Sequence, residues 1–241
     1  MKFEFIPIKT RIVMPPKDEI WDILDSLEIK DGDIIFITSK IMAIHQGRCI
    51  QKDKADKQEL IKKEASHYLP YMHSGGFNVN LTITDNILIA AAGIDESNAN
   101  GHYILWPKNV DELCADIRSH LVKKHSVKNL GVISTDSHTM PLRWGVTGIT
   151  IGLAGVKPLK DIRGEKDIFG THEMKCTQVN LVDPLTSMAV LLMGEGAEQT
   201  PIVILRNYKG IEFCKTGNMD DFKISPEIDL YQPLLKCLKK P

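Results

Sequence analysis

Several things are scarce in this chain of 241 residues, and each scarcity excludes something. Cysteine occurs five times, at Cys49, Cys114, Cys176, Cys214 and Cys237, an odd and scattered set with no C-x-x-C pair. Neither a disulfide framework nor a zinc knuckle fits that pattern. An excess of one charge is also missing, because 30 basic residues face 31 acidic ones for a net charge of -1. Neutralising many phosphates needs a cationic surplus, so no nucleic-acid partner is expected. No apolar run reaches the length of a bilayer span, and the opening MKFEFIPIKTRIVMPP alternates apolar and polar residues, unlike a secretory leader. No membrane partner is expected, and the cytoplasm is the expected location. The eight histidines have no metal-ligand spacing. A G-x-x-x-x-G-K-[ST] phosphate loop, internal repeats and low-complexity segments are absent as well.

What is present is an ordinary globular composition, 43% hydrophobic and 25% charged. Residues 1–241 read as one unit, either undivided or made of two intertwined subdomains with no boundary in the sequence. The periodicities predict an α/β protein. Phe3, Phe5 and Ile8 suggest a first strand; Ile20, Ile23, Leu24 and Leu27 fall on one helical face; Ile34–Ile37 is a continuous apolar run typical of a strand covered on both sides. A charged surface helix is expected over Asp53–Tyr68, a glycine-containing loop at Ser74–Asn78, and two strands joined by a turn at Asp85 and Asn86, the second running to Ile94. Asn109 with Glu112 looks like a helix cap, and the helix carries Val110, Leu113, Ile117 and Leu121 to a basic end at Lys123–His125. A strand over Met174–Val182, a helix over Pro184–Met193, a strand over Pro201–Leu205 and a terminal helix over Ile228–Leu238, interrupted by Pro233, complete the pattern.

The richest stretch runs from Leu130 to Gly170. Leu130, Val132 and Ile133 form a short apolar strand expected to stop at Thr135, Asp136, Ser137 and His138. Polar groups beyond the end of a buried strand sit where α/β proteins place ligand crevices. Gly145, Gly148, Gly152, Gly155, Gly164 and Gly170 follow, and they suit either a tightly packed sheet corner or backbone opened toward a ligand. Arg143, Lys160, Arg163 and Lys166 among them favour an anion. Ser39 and Lys40 close the strand Ile34–Ile37 and could hold a phosphate or be plain surface. Asp95, Asp136 and Glu195 each follow an apolar element. They are either unrelated loop acids or a set of oxygen ligands for magnesium or manganese. His138 stands beside Asp136 and Ser137 and is the one histidine placed to face an acceptor.

The segments ITSK at Ile37–Lys40, GIDESN at Gly93–Asn98, TDS at Thr135–Ser137, RGEKDIFG at Arg163–Gly170 and MGEG at Met193–Gly196 resemble, in order and spacing, the coenzyme F-420-0:L-glutamate ligase family. The similarity covers nearly the whole chain. It implies a γ-glutamyl ligase-like fold of mixed sheets with flanking helices, not a P-loop fold, and an intertwined homodimer. It also implies a ligase using GTP or ATP with two divalent cations, Mg2+ or Mn2+, with K+ a further candidate ion. Carried onto this chain, the metal ligands are Asp95, Asp136, Ser137 and Glu195. Ser39, Lys40, Asn98, Gly194 and Gly196 contact the nucleotide, and Arg11, Ile12, Val13 and Met14 line its base or ribose. Where the family commonly reads Asp-Thr-Phe-Gly-Arg-Pro-Trp-Arg, this chain has DSHTMPLR from Asp136 to Arg143; where it often reads Met-Gly-Gln-Ala-Asp-Glu-Gly, this chain has an acid at Glu195 and Gln199 in place of the final glycine. The SHTMPLR variant is similar to a bacterial branch associated with folate metabolism.

The chemistry so implied is addition of L-glutamate to an F-420-0-like or pterin/folate-like acceptor through an acyl phosphate. Asp136, Arg143 and His138 are then the candidate catalytic residues, with Arg163 and Lys166 as further candidates for holding substrate carboxylates. Two other classes remain open at this point: a metal-dependent phosphohydrolase with Asp136 as nucleophile, and a nucleotide-binding regulator without turnover.

Overall fold

The computed structural model describes residues 2–69, 79–215, 217 and 219–241; the loop expected at Ser74–Asn78 lies outside them. Its main feature is a five-stranded sheet in the order β1 (Glu4–Ile8), β12 (Ile202–Arg206), β2 (Asp33–Thr38), β8 (Leu130–Thr139), β9 (Val146–Ala154). Only β2 and β8 run parallel, in register from Asp33 opposite Leu130 to Thr38 opposite Thr135. Their central place explains the composition of β2, whose Ile34, Ile35, Phe36 and Ile37 are all fully buried. Each such side chain contributes about 1.5–3 kcal/mol of burial free energy.

The helices α2 (Ser39–His45), α4 (Val110–His125) and α5 (Val182–Met193) pack against this sheet. Gly148 and Gly152 show why β9 is glycine-rich: a Cβ at Gly148 would stand 2.6 Å from the Thr186 carbonyl of α5, and one at Gly152 2.4 Å from Val110 of α4. For these two glycines the packed-corner reading holds. A smaller sheet, β4 (His67–Tyr68), β5 (Leu81–Thr84) and β6 (Ile87–Ala90), sends Ile87 and Ile89 into the main core, while α3 (Lys57–Glu64) contributes Leu60 and Ile61 to a second apolar cluster that also contains Ala92 and Leu105. The remaining pairs are β3 (Cys49–Gln51) with β7 (His102–Ile104) and β10 (Leu159–Asp161) with β11 (Gln178–Asn180).

The architecture is mixed α/β, as expected, but several elements differ. β8 does not stop at Thr135; after an irregularity at Ser134/Thr135 it continues to Thr139 because β9 pairs with it that far, while β2 ends at Thr38. Asp136 and Ser137 therefore sit within a strand, just beyond the edge of its parallel partner. The first helix, α1, covers only Trp21–Asp25, and the Ser26 hydroxyl bonds back to the Ile23 carbonyl where it ends. The charged segment Asp53–Tyr68 divides into a 3-10 turn, α3 and β4, with Asp56 capping α3 through the Glu59 amide. Asn109 does not cap α4; its backbone is left-handed, at φ 49°, and its side chain makes no capping bond. The strand expected over Met174–Val182 shrinks to β11, and the terminal helix to α6 (Gln232–Leu235), where Pro233 lies in the first turn. The turn at Asp85 and Asn86 is as expected, with φ of 49° and 59°, the positive values that a two-residue hairpin loop requires. Among the described residues no helix is long and apolar enough to cross a membrane.

Candidate functional site

The parallel strands β2 and β8 deliver their C-terminal residues side by side, and a cavity of about 520 Å³ opens there. Four distant segments close it: Thr10–Pro15 from the start of the chain, Thr38–Ile41 after β2, Asp95 and Asn98 after β6, and Met193–Pro201 after α5. Every residue assigned by resemblance to metal or nucleotide lines this one space, namely Arg11–Met14, Ser39, Lys40, Asp95, Asn98, Asp136, Ser137, Glu195 and the two glycines Gly194 and Gly196.

Asp95 follows a short 3-10 turn over Ala91–Gly93 and is placed by a backbone bridge to Ile104. Its Oδ1 accepts the Ser97 amide at 2.7 Å, and its Oδ2 lies 2.6 Å from Lys40 Nζ. That ammonium also donates to the Ser97 hydroxyl at 2.9 Å and the Ser97 carbonyl at 3.1 Å. Burial alone would raise the Asp95 carboxyl, but Lys40 and the Ser97 donors outweigh it and hold the group below its ordinary value.

Asp136 forms no direct ion pair among the described residues and feels Lys40 only at a distance. It opens on the cavity yet is crowded by protein atoms, and this burial pushes its carboxyl up to about 6 against the pull of its hydrogen bonds to Trp106 and Ser137. Glu195 is likewise pushed up by burial, opposed chiefly by the charge of Lys40. Two carboxylates held above their ordinary values beside a third are stabilised by any added cation. Among the described residues no three Asp, Glu, His or Cys side chains converge closely enough to chelate an ion unaided. The hard oxygen set of Asp95, Asp136, Ser137 and Glu195 nonetheless suits a divalent ion whose remaining positions are filled by water or phosphate, the usual habit of magnesium.

The loop after α5 is built to hold its shape. Gly194 has φ 78°, and a Cβ there would stand 2.4 Å from the Glu198 carboxyl, which in turn accepts the Gly196 amide at 2.8 Å. Thr200 donates to the Met193 carbonyl at 2.6 Å, and Asn98 to the Gly196 carbonyl at 2.8 Å. Beside this loop, where the Thr10 amide donates to the Gln199 carbonyl at 3.0 Å, the Arg11 guanidinium is committed to Asp18 at 2.7 Å and Asp22 at 2.8 Å. Arg11 thus braces the segment Ile12–Pro15 along the cavity.

Other predicted residues lie elsewhere. Arg143 is exposed at the tip of the β8–β9 hairpin, donating to the Leu142 carbonyl, and is outside the cavity lining. His138, opposite Thr147 on β8, also lies outside the lining; burial lowers its imidazole, with Asp183 opposing. Arg163 is paired with its neighbour Asp161 at 2.5 Å, and neither it, Lys160 nor Lys166 reaches the cavity. Trp106, Asn100 and Glu198 do line it and were not singled out from the sequence. Trp106 alone carried a signal, since a tryptophan in an apolar stretch needs a partner for its N–H.

The F420-0:Gamma-glutamyl ligase family profile matches residues 7–207, a span that contains every cavity-lining segment. The chain belongs to this family. Relatives in it include the coenzyme F420:L-glutamate ligase of Methanocaldococcus jannaschii, 35% identical over 227 residues covering 84% of this chain and 89% of that protein. Its counterpart in Methanopyrus kandleri is 31% identical over 228 residues, covering 87% and 88%. That of Methanosarcina barkeri is 28% identical over 257 residues, covering 100% and 99%. Family membership and cavity thus concern the same residues.

Proposed function

We propose that this chain is a γ-glutamyl ligase that uses GTP or ATP and Mg2+ or Mn2+ to attach L-glutamate to the carboxylate of an F-420-0-like or pterin/folate-like acceptor. The observation that carries the proposal is the convergence of Asp95, Asp136, Ser137 and Glu195, from three separate chain segments, on one cavity also lined by Ser39, Lys40 and Asn98. The names of the relatives support the glutamate and the F420-like acceptor.

In this reading an acceptor carboxylate oxygen attacks the γ-phosphorus, the bond to the β–γ bridging oxygen breaks, and the nucleoside diphosphate leaves. The amine of L-glutamate then attacks the acyl carbon, loses a proton and expels phosphate, forming the amide. Divalent cations held by Asp95, Asp136, Ser137 and Glu195 would offset the charge on the phosphates. Lys40 supplies a fixed positive charge at the same wall. The braced segment Arg11–Met14 and the loop at Gly194–Gly196 orient the nucleotide, and Asn98 keeps that loop closed. Asp136 engages both of its oxygens with protein donors, Trp106 on one and Ser137 on the other, which suits a held ligand better than an attacking nucleophile.

Exposed apolar side chains at Leu142, Ile168, Phe169 and Leu191, 96%, 93%, 79% and 74% accessible in the single chain, support assembly as a homodimer, which light scattering tests. The activity is tested by incubating the protein with GTP or ATP, Mg2+ or Mn2+, L-glutamate and, in separate reactions, F-420-0, dihydropteroate or a folate. A mass gain of one glutamyl unit on one acceptor is the expected result. Nucleotide hydrolysis that needs neither glutamate nor acceptor, with no adduct from any of them, overturns the proposal in favour of a phosphohydrolase.

A further inference from the structure

Asp136 is held by a side chain outside the segments that carry the family resemblance. Trp106 follows β7, is 4% exposed, and donates its indole Nε1–H to Asp136 Oδ2. The other oxygen, Oδ1, accepts the Ser137 amide at 2.8 Å. The carboxylate is therefore fixed from two directions while still lining the cavity.

The tryptophan is itself fixed. Arg48 Nε donates to the Trp106 carbonyl at 3.0 Å, and Arg48 is anchored 2.6 Å from a nearly buried Glu64 carboxylate that also takes Lys108 at 2.9 Å. On the ring side Gly93 supplies the space, since a Cβ there would stand 2.2 Å from the indole nitrogen. Gly93 opens the GIDESN segment that carries Asp95, so the ring is wedged between the loop of one acid and the strand of another.

We propose that Trp106 is a positioning residue for the divalent-cation site, its indole N–H holding Asp136 in ligating orientation without cancelling the carboxylate's charge. The inference rests on the cation role given to Asp136 above. An arginine or lysine in the same place would hold the carboxylate equally well but neutralise it, and a hydroxyl could rotate to accept instead. Indole can only donate, and its ring is too well packed to turn away.

Trp106→Phe keeps an aromatic ring and removes the donor. Mn2+ binding is measured without nucleotide or turnover, from the electron paramagnetic resonance of free Mn2+ and from quenching of tryptophan fluorescence. The wild type is expected to bind, and Trp106→Phe to bind about 10- to 100-fold more weakly with a preserved thermal transition and most of the quenching lost. Trp106→His, which restores a ring N–H, recovers part of the affinity. Equal Mn2+ affinity in wild type and Trp106→Phe overturns this inference alone, whereas a wild type that binds no Mn2+ overturns the cation role of Asp136 and this inference together. Should the variant fail to fold, the wild type decides through its three indole N–H resonances, assigned with Trp21→Phe and Trp144→Phe. The Trp106 resonance must shift when Mg2+ is added; a resonance that stays in place overturns the inference.

Discussion

Asn98 donates its side-chain amide to the Gly196 carbonyl at 2.8 Å, joining two cavity loops 98 residues apart in sequence. Asn98 also has a left-handed backbone, at φ 53°, which asparagine tolerates better than alanine. Asn98→Gly keeps that conformation and removes only the tie. Losing one such hydrogen bond costs about 1 kcal/mol, so nucleotide affinity is expected to fall about fivefold. Calorimetric titration measures the affinity, and a thermal melt unchanged within a few degrees shows that the fold is intact. Asn98→Ala should lose the same affinity and additional stability.

Far from the cavity, Arg206 grips Asp33 with two bonds, Nε to Oδ1 at 3.0 Å and Nη2 to Oδ2 at 2.8 Å, and Asp33 is fully buried. Arg206→Met leaves the carboxylate buried with only the Lys30 amide as donor at 2.8 Å. Breaking a buried pair in this way costs about 3–5 kcal/mol. Urea unfolding should register that loss; a change below about 1 kcal/mol would mean that the site rehydrates easily.

Gly148 is expected to couple stability to activity. A methyl group there meets the Thr186 carbonyl at 2.6 Å and Val190 at 2.8 Å, so α5 must move away from β9. Overpacking of this kind costs about 1–3 kcal/mol. Because α5 leads directly into Gly194 and Glu195, Gly148→Ala should also raise the nucleotide KM. A variant destabilised with unchanged KM would show that the loop after α5 keeps its place independently of the helix.

The sheet was legible because burial writes itself into composition, and the three acids expected after its apolar elements line one cavity. The run Ile34–Ile37 has no polar residue to turn outward, and Asp95, Asp136 and Glu195 stand out as charges after such elements. Arg143 lies outside that lining, and its nearness to glycines in sequence carried no information on where the tip of a hairpin points. The cap assigned to Asn109 failed because the residue's φ of 49°, which excludes capping geometry, depends on how β7 leads into α4. Trp106 was hidden for the opposite reason. Its role exists only where Gly93 and Asp136 meet it, and no local pattern encodes that meeting.

The wall formed by Ile12–Pro15 should depend on acid. Asp18 and Asp22 are both held below the ordinary carboxyl value of 3.8, in each case first by the hydrogen bond from Arg11. A depressed carboxyl contributes stability that is complete above its unfolded value and lost as pH falls through its folded one. The difference in melting temperature between wild type and Asp18→Asn is therefore expected to be constant from about pH 8 to 5 and to shrink below about pH 4. A difference that persists unchanged at about pH 2.5 would assign the effect of Asp18 to shape, not charge.

Gln199 presents the reverse case, a residue at odds with its backbone. It has φ 58°, in the left-handed region that costs most side chains about 1–2 kcal/mol. Its carbonyl accepts the Thr10 amide at 3.0 Å, so the backbone is pinned in place by the segment that precedes Arg11. Gln199→Gly keeps this bond, relieves the strain and adds some flexibility to the unfolded chain. The two effects oppose each other, and the balance favours glycine by up to about 1 kcal/mol. Gln199→Val should lose at least that much, because a β-branched side chain is least tolerant of positive φ. If glycine destabilised the protein instead, the Gln199 side chain would have to make a contribution within the cavity larger than the strain of its backbone, and nucleotide affinity measured on the same variant would then fall with it.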